Sequence, residues 1–133
     1  MSEQDDIREF LAGDGIAVCG ASNDRTKYGN RVLLALREAG YTTYAVNPRG
    51  GTIEGDTGYE NLAAIPHPIH AVSIIVPPVA TLRIVEEAAT LGIKYVWMQP
   101  GAESDEAIAK ARELGLHTIA NGPCVLVSLR LGS

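Results

Sequence analysis

A chain of 133 residues is near the usual size of one domain and can bury a core without disulfide or metal support. With 46% apolar and 20% charged residues it has the composition of an ordinary globular chain, and a net charge of −5 opposes the phosphate neutralisation on which nucleic-acid binding depends. Cys19 and Cys124 lack the C-x-x-C spacing of a zinc or redox site, and no apolar run approaches the ~20 residues of a membrane span. The acidic, polar start at residues 1–6 is unlike a signal peptide, so a cytoplasmic location with neither membrane nor nucleic acid as partner is expected.

Short runs rich in β-branched residues alternate with segments of helical periodicity, the pattern of a parallel sheet covered by helices on both faces. A leading helix over 5–12 stops at Gly13-Asp14-Gly15, and the first strand follows over 16–19. After the turn-forming Gly20-Ala21-Ser22-Asn23-Asp24 a helix is predicted over 29–39, with Val32, Leu33, Leu36 and Ala39 on one face and Gly40 as its stop. The second strand covers 42–46; the stretch from Asn47 to Ile65 reads as irregular, with a short helix at 61–64. The third strand, 71–76, is closed by Pro77-Pro78, and Pro78 suits the first turn of a helix running to 91. The fourth strand covers 94–98, a helix over 104–114 starts on Ser104 as N-cap, and the fifth strand covers 117–120. The apolar tail 124–131 fits helix or strand equally. The expected architecture is one Rossmann-like α/β domain over 1–133, with five parallel strands ordered 3-2-1-4-5.

In such a sheet every loop that follows a strand lies at one edge, where ligands bind near the switch in strand order. Here those loops are Gly20-Ala21-Ser22, Asn47-Pro48-Arg49-Gly50-Gly51, Pro77-Pro78, Gln99-Pro100-Gly101 and Asn121-Gly122-Pro123. Each taken alone also reads as the glycine and proline that sharp turns require. The first loop suits close approach of backbone N–H groups to a phosphate, with the next helix offering its positive end. It is a poor dinucleotide fingerprint: Ser22 and Arg25 stand where the second and third glycines of G-x-G-x-x-G belong, and Asn47 replaces the acid that holds a ribose in NAD enzymes. Arg49 nearby suits a phosphorylated ribose, as in NADP or coenzyme A; Arg25, Lys27 and Arg49 equally suit solvated loop cations.

Residues 16–22, Ala39-Gly40-Tyr41 with Val46-Asn47-Pro48-Arg49, Tyr59-Glu60-Asn61-Leu62 before Ile65-Pro66, and Lys94-Tyr95-Val96-Trp97-Met98-Gln99 together resemble the small stand-alone CoA-binding proteins, which are similar to the N-terminal CoA-binding domain of the succinyl-CoA synthetase α-subunit. The resemblance implies coenzyme A as cofactor. It implies phosphate contacts from the first loop, Ser22 to Arg25 with Asn23 between them, and a basic residue at Arg49; Gly20, Ala21, Lys27, Asn47 and Pro48 are further cofactor-binding candidates. It further implies packing of the nucleotide on Val76, Pro77 and Pro78 and of the pantetheine arm on Met98, Gln99 and Pro100. A non-catalytic module binding CoA or an acyl-CoA is therefore expected. Two alternatives stay open: a NADP-binding or dehydrogenase-like fragment, and an interaction subunit whose tail pairs with itself or with an acyl-CoA enzyme. His67, His70 and His117 are scattered without an implied acidic partner, Trp97 reads as core, and Cys124 is either an inert thiol or a neighbour of the cofactor thiol.

Overall fold

The computed structural model describes residues 3–132. Helix α1 (Glu3–Ala12) leads into β1 (Ile16–Cys19), α2 (Tyr28–Glu38) and β2 (Thr43–Val46). A hairpin of β3 (Thr52–Ile53) and β4 (Asp56–Tyr59) follows, then a 3-10 turn (Leu62–Ala64), β5 (Ala71–Ile74), α3 (Pro78–Thr90), β6 (Tyr95–Met98), α4 (Asp105–Glu113), β7 (His117–Ile119) and α5 (Val125–Gly132). The apolar tail is thus helical.

The seven strands lie in the order β3-β4-β2-β1-β5-β6-β7, all parallel except the β3–β4 pair. This overturns the expected five strands in the order 3-2-1-4-5. The third of the expected strands, now β5, pairs with β1 on the side away from β2, with Ile16 opposite Ala71. Right-handed crossovers permit either side, and the place beside β2 is taken by β4, which pairs Val46 with Tyr59. The hairpin turns on Glu54 and Gly55, both at positive φ, the geometry of a two-residue turn that matches strand twist.

The period-two alternation of β1 shows why both faces are covered. Ile16 and Val18 join Phe10 of α1, Val32, Leu33 and Leu36 of α2 and Val125 of α5 in one core; Ala17 and Cys19 join Val85 and Ala88 of α3 and Ala107, Ile108 and Ala111 of α4 in the other. All four residues of β1 and β5 are buried, which is why these strands read as continuous apolar runs. Phe10 meets Trp97 edge to face with centroids 5.2 Å apart, and the indole N–H donates to the Pro123 carbonyl at 2.9 Å. Ser104 caps α4 as expected, its Oγ accepting from Ala107 N at 3.1 Å.

Asp14 joins the approach to β1 to the start of β2: its carboxylate accepts from Thr42 N at 2.7 Å and Thr42 Oγ1 at 2.8 Å, and these bonds hold its carboxyl below the ordinary range. A lowered carboxyl contributes stability that is fully present above the unfolded-chain value of about 3.9 and is lost as pH falls through the folded value. Asp14→Asn should therefore lower the urea midpoint at pH 7, with the gap to wild type narrowing steadily on acidification. A gap independent of pH would mean that the contact owes nothing to charge.

Candidate functional site

Two glycines set the first loop. Gly20 has φ +100°, and a Cβ there would sit 1.9 Å from the Ile75 carbonyl oxygen; a Cβ on Gly29 would sit 2.0 Å from the carbonyl oxygen of Gly20. Only backbone bare of side chain lets α2 press onto the end of β1, so Gly29 does the helix-packing job that a fingerprint glycine does four residues earlier in the motif. The sequence reading missed it because its spacing is longer. Between these glycines the chain binds itself: Ser22 Oγ accepts from Asp24 N at 3.0 Å, and Asp24 Oδ1 accepts from Thr26 N at 3.0 Å and Thr26 Oγ1 at 2.6 Å, which lowers the Asp24 carboxyl. The N-cap of α2 is Lys27, whose side chain makes no capping bond, so the first-turn amides have no acceptor from it.

The second loop is tied to the first through Asn47, whose Nδ2 donates to the Ala21 carbonyl at 2.9 Å while Oδ1 accepts from Arg49 N at 2.9 Å. Asn47 N in turn donates to Tyr59 O at 2.8 Å. One donor and one acceptor of the Asn47 carboxamide are thereby used within the protein. Pro48 and Arg49 are exposed beside it, and no ion pair of Arg49 occurs among the described residues. Arg25 differs: its Nε and Nη2 donate to the two carboxylate oxygens of Glu54, each at 3.2 Å. Asn23, exposed, clasps the same hairpin, donating to Thr52 O and accepting from Glu54 N, both at 2.7 Å.

Between the first two loops and α3 lies a cavity of about 420 Å³, at the place where strand order reverses. Its walls are Cys19 and Gly20, Val46 and Pro48, Glu60 and Asn61, and Val76 with Ala80, Arg83, Ile84 and Glu87. Of the expected residues it gathers Gly20, Pro48 and Val76; Pro77 and Pro78 stand exposed just beyond, opening α3. The α3 positions 80, 83, 84 and 87 share one helix face, a spacing visible in the sequence, though apolar residues there read as core. Glu87 accepts from Leu62 N at 3.1 Å and so anchors the 3-10 turn at the cavity wall. Burial, with Glu87 adding repulsion, pushes the Cys19 thiol far up.

The fourth loop is placed otherwise. Met98 and Gln99 are fully buried, and of the segment assigned to them only Pro100 is exposed. Gln99 is a four-way junction: Nε2 donates to Ser73 Oγ at 3.1 Å, Oε1 accepts from Tyr28 OH at 3.2 Å and Val125 N at 3.0 Å, and its own N donates to Ile74 O at 3.0 Å. Tyr28 also hydrogen-bonds Cys124, and burial first, then this bond, raises its phenol. The histidines sit at the far edge, where strands begin. There His117 Nδ1 lies 3.0 Å from Asp6 Oδ1, so His117 has the acidic partner that the sequence did not imply, and it stacks on Tyr95.

A family model described as a CoA binding domain matches residues 14–130. The chain is 36% identical over 88 residues to the α-subunit of ADP-forming acetate–CoA ligase II of Pyrococcus furiosus, covering 65% of this chain and 19% of that protein. It is 38% identical over 72 residues to ADP-forming acetate–CoA ligase I of Archaeoglobus fulgidus, covering 54% of this chain and 10% of that one. The chain thus spans a fifth or less of the curated relatives it matches. A hypothetical protein from Pyrococcus horikoshii OT3 superposes with a TM-score of 0.91 at 33% identity, over 98% of this chain and 92% of that one.

The junction at Gln99 is testable. Gln99→Ala strands Ser73 Oγ and Val125 N in the interior, and should destabilise by about 2–4 kcal/mol while loosening α5 in hydrogen exchange. An unchanged melting temperature would show Gln99 to be dispensable to the fold.

Proposed function

Because this chain belongs to the family of CoA-binding domains, we propose that its ligand is coenzyme A or an acyl-CoA, held without catalysis at the edge of the sheet where the strands end. The observation that carries the reading is the cavity at the strand-order reversal. Its apolar walls, Val46, Pro48, Val76, Ala80 and Ile84, suit the faces of an adenine ring, and the carboxylates of Glu60 and Glu87 at its margin suit an exocyclic amine.

An adenine seated there puts the ribose beside Pro48 and Arg49 and the pyrophosphate over Gly20, Ala21, Ser22 and Asn23, in front of the uncapped start of α2 and near Lys27. The pantetheine then leaves past Pro77, Pro78 and Pro100. Met98 and Gln99 act behind this surface by holding its shape, and Asn47 acts by joining the two loops.

The absence of catalysis is supported by the chemistry at the cavity. The Cys19 thiol is kept protonated by burial, and His67, His70 and His117 belong to the opposite edge. The relatives that share this region are named as acetate–CoA ligases, so a partner chain that brings acyl-transfer chemistry is part of the proposal.

The test centres on Arg49. A guanidinium can pair with the ribose 3′-phosphate of CoA through two charge-assisted bonds, so Arg49→Ala should weaken CoA by about tenfold and leave 3′-dephospho-CoA nearly unchanged. Calorimetry on wild type and variant with CoA, dephospho-CoA and NADP reads all arms. Equal weakening of CoA and dephospho-CoA removes Arg49 from phosphate recognition, and binding of NADP in place of CoA overturns the ligand.

A further inference from the structure

Glu54 stands at the tip of the β3–β4 hairpin with φ +48°, a left-handed conformation that glycine and asparagine take readily and glutamate rarely does. Something must hold it there, and its side chain is the place to look. The Glu54 side chain is only 11% exposed, although that of Arg25, which grips it, is 77% exposed. It accepts three hydrogen bonds: two from the Arg25 fork at 3.2 Å and one from Asn30 Nδ2 at 2.6 Å. Asn30 is buried in the first turn of α2, and its Nδ2 also donates to the Ser22 carbonyl at 2.8 Å. The hairpin backbone is clasped on either side by Asn23 and by Arg37, whose Nη1 donates to Glu54 O at 2.9 Å.

A carboxylate gripped by a two-pronged guanidinium beside the start of a helix has the arrangement in which a phosphate is received. Arg25 belongs to the loop that the proposed function places under the pyrophosphate, three residues before α2 begins. We propose that Glu54 is a built-in counter-anion that occupies the Arg25 fork and sets the affinity of the first loop for a ligand's phosphates. This rests on the reading of that loop as the phosphate site. With Glu54 in place, Arg25 is neutralised and a phosphate must either displace the carboxylate or bind by backbone amides alone. Removing the carboxylate's charge frees the guanidinium.

Two substitutions test this. Glu54→Gln keeps the acceptor and removes the charge; Glu54→Gly accepts the positive φ and removes the side chain, so a folding defect in one is checked by the other. Each is titrated by calorimetry with CoA and, in parallel, with inorganic pyrophosphate, in wild-type and Arg25→Ala backgrounds. Both variants should bind pyrophosphate about two- to fivefold more tightly than wild type, the range expected of an ion pair whose arginine is largely exposed, and the gain should vanish when Arg25 is alanine. CoA should follow the same pattern. Tighter pyrophosphate binding with no CoA binding in any variant upholds the counter-anion and discards CoA as ligand. Unchanged or weaker pyrophosphate binding, or a gain that survives Arg25→Ala, overturns the counter-anion whatever CoA does.

Discussion

The close passage of backbone at Gly20 and Gly29 is the constraint from which the site follows. Carbonyl groups of Ile75 and Gly20 occupy the positions where side chains would begin, so α2 sits against the end of β1 and the loop between them must fold back on itself. That turn ends at the start of α2, where Lys27 gives the first amides no side-chain acceptor. It also brings the Ala21 carbonyl within reach of Asn47, so the second loop is fixed relative to the first by a single carboxamide. A Cβ on Gly29 would push α2 away from the end of β1, and a Cβ on Gly20 would push the end of β1 from the Ile75 carbonyl.

A second junction lies under the opposite half of the edge. Gln99, itself fully buried, ties β5, β6, α2 and α5 together, and the loss of its bonds to Ser73 or Val125 leaves a buried group without a partner. The division of labour is therefore spatial. Loops one and two and the face of α3 form the open cavity, while Met98 and Gln99 are buried, with Gln99 bonded to the first residue of α5. Charge is distributed along the same lines: Arg83 lines the cavity, and of the loop cations Arg25 is paired with Glu54 while Arg49 has no ion-pair partner among the described residues.

Much of this was legible in the chain because it rests on local chemistry. Short β-branched runs between turn signals, such as Ile16-Ala17-Val18-Cys19, read as strands buried on both faces, Ser104 can be recognised as a cap, and Pro78 as the opening of a helix. The co-location of the loops follows from parallel strands alone. What could not be read was non-local. The strand order depends on which side of β1 receives the third expected strand, and that was decided by the β3–β4 hairpin. The hairpin was read as irregular because Thr52-Ile53 is only two residues long, Asp56 and Gly58 are poor strand formers, and glutamate is an unusual residue at the first turn position. The burial of Met98 and Gln99 was hidden for a similar reason: a glutamine after a strand looks like a loop residue until α5 and Tyr28 are known to close over it.

In the proposed complex a CoA nucleotide lies in the cavity at the strand-order reversal, with its phosphates over the first loop. Backbone amide shifts of the isotope-labelled protein during titration with CoA test it most directly. The largest changes are expected in 20–30, 47–50, 60–62 and 76–87, with the opposite edge around His70, Tyr95 and His117 still. Changes centred on that opposite edge, or none at millimolar CoA, would contradict it.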